Sequence, residues 1–156
     1  MKKMLIVFCC CLFGPLLFVS GVKAQAPTVS PATPAVIDPW KTNELLDPAV
    51  LAGMLRTGNA PVIYNIGAVD DIRTAKHVGP VSDAKNLAKF KDMIAALPKN
   101  TPVVIYCGCC ALPKCPNVRP AYRELKAAGF TNISVLNLAV NLKTNWINKS
   151  FPLADK

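Results

Sequence analysis

Four cysteines fall within nine positions of the chain, in the run Tyr106-Cys107-Gly108-Cys109-Cys110-Ala111-Leu112-Pro113-Lys114-Cys115-Pro116-Asn117. Thiols at this density allow three kinds of chemistry: nucleophilic attack that leaves an adduct on sulfur, dithiol–disulfide exchange, and ligation of a soft metal ion. Cys107 stands apart from the other three because it directly follows Thr101-Pro102-Val103-Val104-Ile105-Tyr106, the most strand-like run in the chain. That run is apolar without alternation, which predicts a central strand of a parallel sheet covered on both faces. In an open parallel sheet, ligands sit off the carboxyl ends of the strands, and the next helix presents unpaired N–H groups to anions. Cys107 is therefore expected at a strand end, facing a helix that opens near Asn117. The helix end, the loop amides and Lys114 or Arg119 should lower its thiol pKa and make it a nucleophile at neutral pH.

The remaining cysteines leave more than one reading open. Four thiols allow three complete pairings. Cys107-Gly108-Cys109 is too tight for an unstrained bridge in most backbones, so Cys109 or Cys110 with Cys115 is the favoured disulfide. It would staple the loop and leave Cys107 and one neighbour as redox partners. A four-thiolate Zn or Cu(I) site is an alternative, but the spacing is not that of two Cys-x-x-Cys knuckles, and the sequence assigns no metal or other cofactor.

The elements that must position this loop can be read in order. Asp47 caps a helix with Pro48 at its first position and Val50, Leu51, Met54 and Leu55 on one face, and Gly58-Asn59 ends it. Residues 61–66 form a short buried strand closed by Gly67. Residues 68–86 show no clean period and read as a long connection with one helical turn near 70–76. Leu87, Phe90, Ile94 and Leu97 give a helix over 87–97. A helix over 117–128 turns Val118, Ala121, Tyr122 and Leu125 inward and ends at Gly129. A strand follows over 133–138, and a last short helix holds Trp146. Trp40, Trp146 and Phe151 read as core and edge-covering aromatics, and His77 as a residue that fixes a turn. The alternation of helices and strands predicts an α/β fold with a parallel sheet.

The first 24 residues have a different character. Lys2 and Lys3 precede an apolar run over 4–19, and Val22-Lys23-Ala24 offers a cleavage position before Gln25, the build of a secretory signal peptide, with an uncleaved anchor as the alternative because the apolar run to Val22 approaches the length that spans a bilayer. Cys9, Cys10 and Cys11 lie in that run as small hydrophobes. Residues 25–39 carry Pro27, Pro31, Pro34 and Pro39 and read as a linker, so that residues 40–156 make the domain. Cleavage after Ala24 removes three lysines and no acid, taking the formal charge from +9 to +6. The surplus is spread along the chain, with no dense basic run to suggest nucleic acid, and it steers small anionic substrates inward. The expected location is the periplasm or the exterior, without stable membrane insertion after cleavage. Disulfides persist there unless a reductant is supplied.

Several stretches, taken in order, resemble the rhodanese-like domains of the sulfurtransferase family. Asp47-Pro48 through Leu55 looks like that family's opening helix. Pro61-Val62-Ile63-Tyr64-Asn65-Ile66-Gly67 stands where the family has a strand ending in Asp-Val-Arg, and His77-Val78-Gly79-Pro80-Val81 is similar to its Gly-His-Ile-Pro-Gly-Ala segment. Leu97-Pro98-Lys99-Asn100-Thr101-Pro102-Val103-Val104-Ile105-Tyr106-Cys107 is close to the family's approach to its catalytic cysteine, and Trp146 with Phe151-Pro152 has the spacing of its terminal motif. The resemblance covers about residues 42–153 and implies a central parallel sheet flanked by helices. It makes Cys107 the persulfide-bearing nucleophile, with the backbone of a loop that includes Gly108, Cys109 and Cys110 cradling a sulfur or an oxyanion. Lys114 and Arg119 are candidates to bind substrate. The partners implied are a small anionic sulfur donor and a thiol acceptor, which a protein could supply, or cyanide. The chain departs from the pattern at Asn65 and Gly67, which replace an Asp and an Arg, and at Leu112, where the family has an Arg five residues after the cysteine. A thiol–disulfide redox protein and a non-catalytic domain that binds metal or a partner are the alternatives.

Overall fold

The computed structural model describes residues 38–155. The signal peptide expected over 1–24 lies outside them, as does the expected linker over 25–39 apart from Asp38 and Pro39. Strands and helices alternate as β1 (Leu45–Leu46), α1 (Pro48–Thr57), β2 (Val62–Asn65), β3 (Lys76–His77), α2 (Ala84–Ala95), β4 (Val103–Tyr106), α3 (Val118–Ala127), β5 (Ile133–Leu136) and α4 (Leu142–Asn145). Single 3-10 turns lie at Thr42–Glu44, Leu112–Lys114 and Ile147–Lys149. The five strands form one parallel sheet in the order β1-β5-β4-β2-β3. Helices cover both faces, giving the three-layer α/β architecture that the sequence predicts.

The non-alternating run of β4 has a direct cause. Val103 and Ile105 pack with Phe90, Ile94, Val118 and Leu125 of α2 and α3, whereas Val104 and Tyr106 pack with Leu51, Ala52 and Leu55 of α1 and with Trp146. Neither face meets water, so no position on the strand is left for a polar side chain. Tyr106 pays for its burial by hydrogen bonding: its hydroxyl accepts from the Ile72 N–H at 2.9 Å and donates to the Asp70 carbonyl at 3.2 Å.

Local signals set most of the helix ends. Asp47 Oδ1 accepts the Ala49 N–H at 2.7 Å, and Gly58 ends α1 with φ +75°, a conformation that costs glycine little. Ala52 lies in the core face of α1, while Val50, expected there, is half exposed because it falls off the stripe that meets the sheet. Helix α2 starts at Ala84, three residues before the expected position, since Asp83 caps it through the Lys85 and Asn86 N–H groups. The helical turn expected near 70–76 is absent. Ile72 instead forms an antiparallel bridge with Leu153, and the chain continues into the short edge strand β3. Trp146 is fully buried, edge-on to Phe151 at 5.2 Å, and its Nε1 donates to the Pro152 carbonyl at 3.0 Å. Among the described residues no helix is long and apolar enough to cross a membrane.

Candidate active site

The topology creates a crevice between two strand ends. From β2 the chain moves to β3 on one side, and from β4 it moves to β5 on the other. The connection after β2 buries Ile72 on the α1 face, whereas the loop after β4 leads to α3 on the opposite face. Where connections diverge in this way, the carboxyl ends of the adjacent strands open on a cleft. Cys107 stands there, the first residue after β4, and only 2% of it is exposed.

Two glycines let the backbone fold tightly around that cysteine. A Cβ on Gly67, at the end of the adjacent strand, would stand 2.8 Å from Cys107 Sγ and nearer still to its carbonyl oxygen. An arginine at that position, as in the resembling family, would require Cys107 to move. Gly108 has φ +73°, and a Cβ there would stand 2.8 Å from that of Leu142. Its carbonyl accepts the Leu142 N–H at 2.9 Å, which ties the loop to α4. The neighbouring strand end is held by Asn65, which is fully buried. Its Nδ2 donates to the Val69 carbonyl and to Asp71 Oδ1, both at 2.8 Å, and its Oδ1 accepts the Gly67 N–H at 3.1 Å. His77 Nδ1 lies 3.0 Å from the same Asp71 oxygen, so the histidine belongs to a turn-fixing cluster.

The loop then folds back and brings three sulfurs together. The Sγ atoms of Cys107, Cys109 and Cys115 all lie within 4.8 Å of one another, and those of Cys107 and Cys109 are 3.1 Å apart. Cys115 is buried behind the 3-10 turn, while Cys109 is exposed. Cys110 is outside this group, its Sγ 3.6 Å from that of Cys109. All four are free thiols in this structure. Asn117 completes the surroundings. It occupies the N-cap position of α3 without capping it: its Nδ2 donates to Cys107 Sγ at 3.2 Å and its Oδ1 accepts the Ser82 N–H at 2.8 Å. Sequence reasoning placed Asn117 only at the helix opening. The one hint in the sequence was its type, since Asn is a good cap and α3 begins beside a strand end.

The hydrogen bonds converge on Cys107 and set its charge. The Cys115 thiol is the strongest influence, drawing the Cys107 pKa down to about 5 against the opposing effect of burial, with the Cys109 N–H, the Asn117 amide and the Cys109 thiol adding to it. Burial and the adjacent Cys107 push Cys109 up to about 12, and the hydrogen bond to Cys107 together with burial pushes Cys115 up. These directions make Cys107 the first of the three to ionise. The lowering comes from thiols and amides of the loop. Lys114 and Arg119, expected to supply it, do not figure among its causes.

Alkylation of Cys107, followed residue by residue by mass spectrometry, should therefore change less than about twofold between pH 7 and 8, whereas an ordinary thiol gains close to tenfold per unit below its pKa. Because folding lowers this pKa, the associated stability is fully present above the unfolded value near 9 and is lost as pH falls toward 5. A rate that climbs steeply across neutrality would show that Cys107 is protonated there.

Arg119 is occupied elsewhere. Its Nη2 donates to Asp38 at 2.5 Å and to the Pro113 carbonyl at 2.9 Å, its Nη1 donates to the Cys115 carbonyl at 3.3 Å, and its guanidinium lies 5.7 Å from the Trp40 ring. It knits the cysteine loop to the start of the domain. Lys114 is exposed on the outer side of the same turn. A cleft of about 660 Å³ is lined by residues 68–70, Gly108, Cys109, Asn141, Leu142, Lys143 and Ile147. Its lysine, Lys143, was not singled out by the sequence. Cys107 lines a cavity of only about 10 Å³ behind the loop, with Cys110, Leu112 and Cys115 among its neighbours. A molecule entering the cleft thus meets Cys109 first.

No protein-family model, curated protein or solved structure matches the chain.

Proposed function

We propose that the protein is an exported, rhodanese-like sulfur carrier in which Cys107 holds sulfane sulfur as a persulfide and passes it to a thiol or to cyanide. The observation that carries this reading is the convergence of the Asn117 amide and the Cys109 and Cys115 thiols on a single sulfur at a strand end. Such a pocket favours an anionic sulfur, and a terminal persulfide is one. With thiosulfate as donor, the Cys107 thiolate attacks the outer sulfur, a new S–S bond forms, the old one breaks, and sulfite leaves with the bonding pair. An acceptor thiolate or cyanide then takes the outer sulfur and returns Cys107 as thiolate. Cys109 must swing aside for the attack, and its exposure leaves it room to do so.

The test is direct. Reduced protein incubated with thiosulfate or polysulfide should gain one sulfur atom in intact mass, and cyanide should remove it as thiocyanate. Protein that never gains sulfur from either donor is not a carrier of this kind. The 3.1 Å approach of Cys107 and Cys109 favours a second reading, thiol–disulfide exchange, in which that pair cycles between dithiol and disulfide. A defined reduction potential for the pair, together with absence of sulfur uptake, would select it.

A further inference from the structure

We infer that Cys107, Cys109 and Cys115 form a binding site for a single Cu(I) ion, held by three sulfurs. The sequence assigned no metal because its cysteines lack the spacing of paired knuckles, but the folded loop removes that objection by bringing the three together from both of its ends. Three thiolates each about 2.3 Å from a shared ion stand roughly 4 Å apart in a trigonal plane. The observed sulfurs lie within 4.8 Å of one another, close to the spacing that a shared ion needs. The shortest separation, 3.1 Å between Cys107 and Cys109, has to widen, and Cys109 is the exposed member of the trio.

The number of sulfurs selects the ion. Structural zinc takes a closed tetrahedron of four protein ligands, and the fourth cysteine, Cys110, lies outside the cluster. Among the described residues the cluster includes no histidine or carboxylate to replace it. Soft thiolates on their own suit Cu(I). The surroundings fit a metal centre as well. The Asn117 amide fixes Cys107 Sγ at 3.2 Å, and Arg119 Nη1 holds the carbonyl of Cys115, so two of the three ligands are oriented by outer partners. Cys107 and Cys115 are buried, while Cys109 lines the cleft of about 660 Å³ and gives the ion a way in. Binding releases the thiol protons to solvent, forms Cu–S bonds and changes no oxidation state. An ion seated here and a persulfide on Cys107 exclude each other, so this inference does not depend on sulfur transfer.

The experiment is an anaerobic titration of the reduced protein with Cu(I) against bathocuproine disulfonate, with copper X-ray absorption on the product and no sulfur donor present. One Cu(I) per chain should be withdrawn from the chelator, the absorption data should give three sulfur neighbours, and excess Zn(II) should leave the copper in place. Cys109→Ser and Cys115→Ser should each lose at least about 100-fold in affinity, more than an outer-shell partner typically costs. Cys110→Ser should bind like the parent. Copper left on the chelator, two sulfurs or a nitrogen–oxygen shell in the parent, displacement by zinc, or parental affinity in both Cys109→Ser and Cys115→Ser would each overturn the site. The ligand count in the parent decides the matter even if Cys115→Ser fails to fold.

Discussion

Cys107→Ser should end sulfur uptake outright, lowering the rate of persulfide formation by on the order of 1000-fold or more, as removal of an enzyme's nucleophile does. The side chain sits at the end of β4, where the crevice between β2 and β4 opens, and it is the sulfur on which the neighbouring donors converge. A serine hydroxyl keeps nearly the same shape and can still accept from Asn117, so the fold should survive, which circular dichroism and a thermal scan can check. It is not ionised at neutral pH and cannot carry sulfane sulfur. Cys109→Ser should behave differently. In the proposed reaction the exposed thiol only has to move aside, so uptake should persist in that variant while the rate changes. If Cys107→Ser still gains a cyanide-labile sulfur and Cys109→Ser does not, the carrier is Cys109, the thiol that faces the cleft.

Asn117→Asp should slow the same step by about 10- to 100-fold, the equivalent of losing a hydrogen bond to a charged group worth 1.5–3 kcal/mol. The substitution is nearly isosteric, and the carboxylate can still accept the Ser82 N–H, so the long-range tie between residues 82 and 117 remains. What changes is the other half of the side chain. An amide that donates to Cys107 Sγ becomes an anion beside a thiolate, and both effects raise the thiol pKa. The alkylation rate of Cys107, nearly flat around neutrality in the parent, should therefore climb with pH in the variant. That pH dependence separates electrostatic positioning from simple structural support. An Asn117→Asp variant with the parental rate and a flat profile would reduce Asn117 to a structural tie.

Both expectations depend on contacts that differ in how far the sequence revealed them. The end of β4 was legible because an apolar run that never alternates has few ways to be buried, and Cys107 follows it directly. The caps at Asp47 and Gly58 were legible because each is satisfied within a few residues. The strands β1 and β3 were not. Each has only two residues, too few for any period, and each exists because a longer neighbour offers it an edge. The helical turn expected near 70–76 failed for a related reason. Leu153, some eighty positions away, supplies Ile72 with a bridge partner that local propensity could not anticipate.

The candidate site divides along the same line. The residue types alone pointed to a thiol at a strand end and to a cysteine-rich loop following it. The sequence could not rank the sulfurs by proximity, because distance along a loop that holds Pro113 and a left-handed glycine says little about distance in space. Tertiary packing placed Cys115 and Cys109 beside Cys107 and left Cys110 outside the group. It also turned the Asn117 side chain away from its own helix and committed Arg119 to Asp38 and the loop carbonyls. By itself the sequence determined a layered α/β domain with a cysteine at the end of its central strand, since burial pattern and chain order are local properties. Which groups surround that thiol, and hence its charge and its capacity for a metal, was decided only when the loop closed over the crevice and residues from separate elements came within hydrogen-bonding reach.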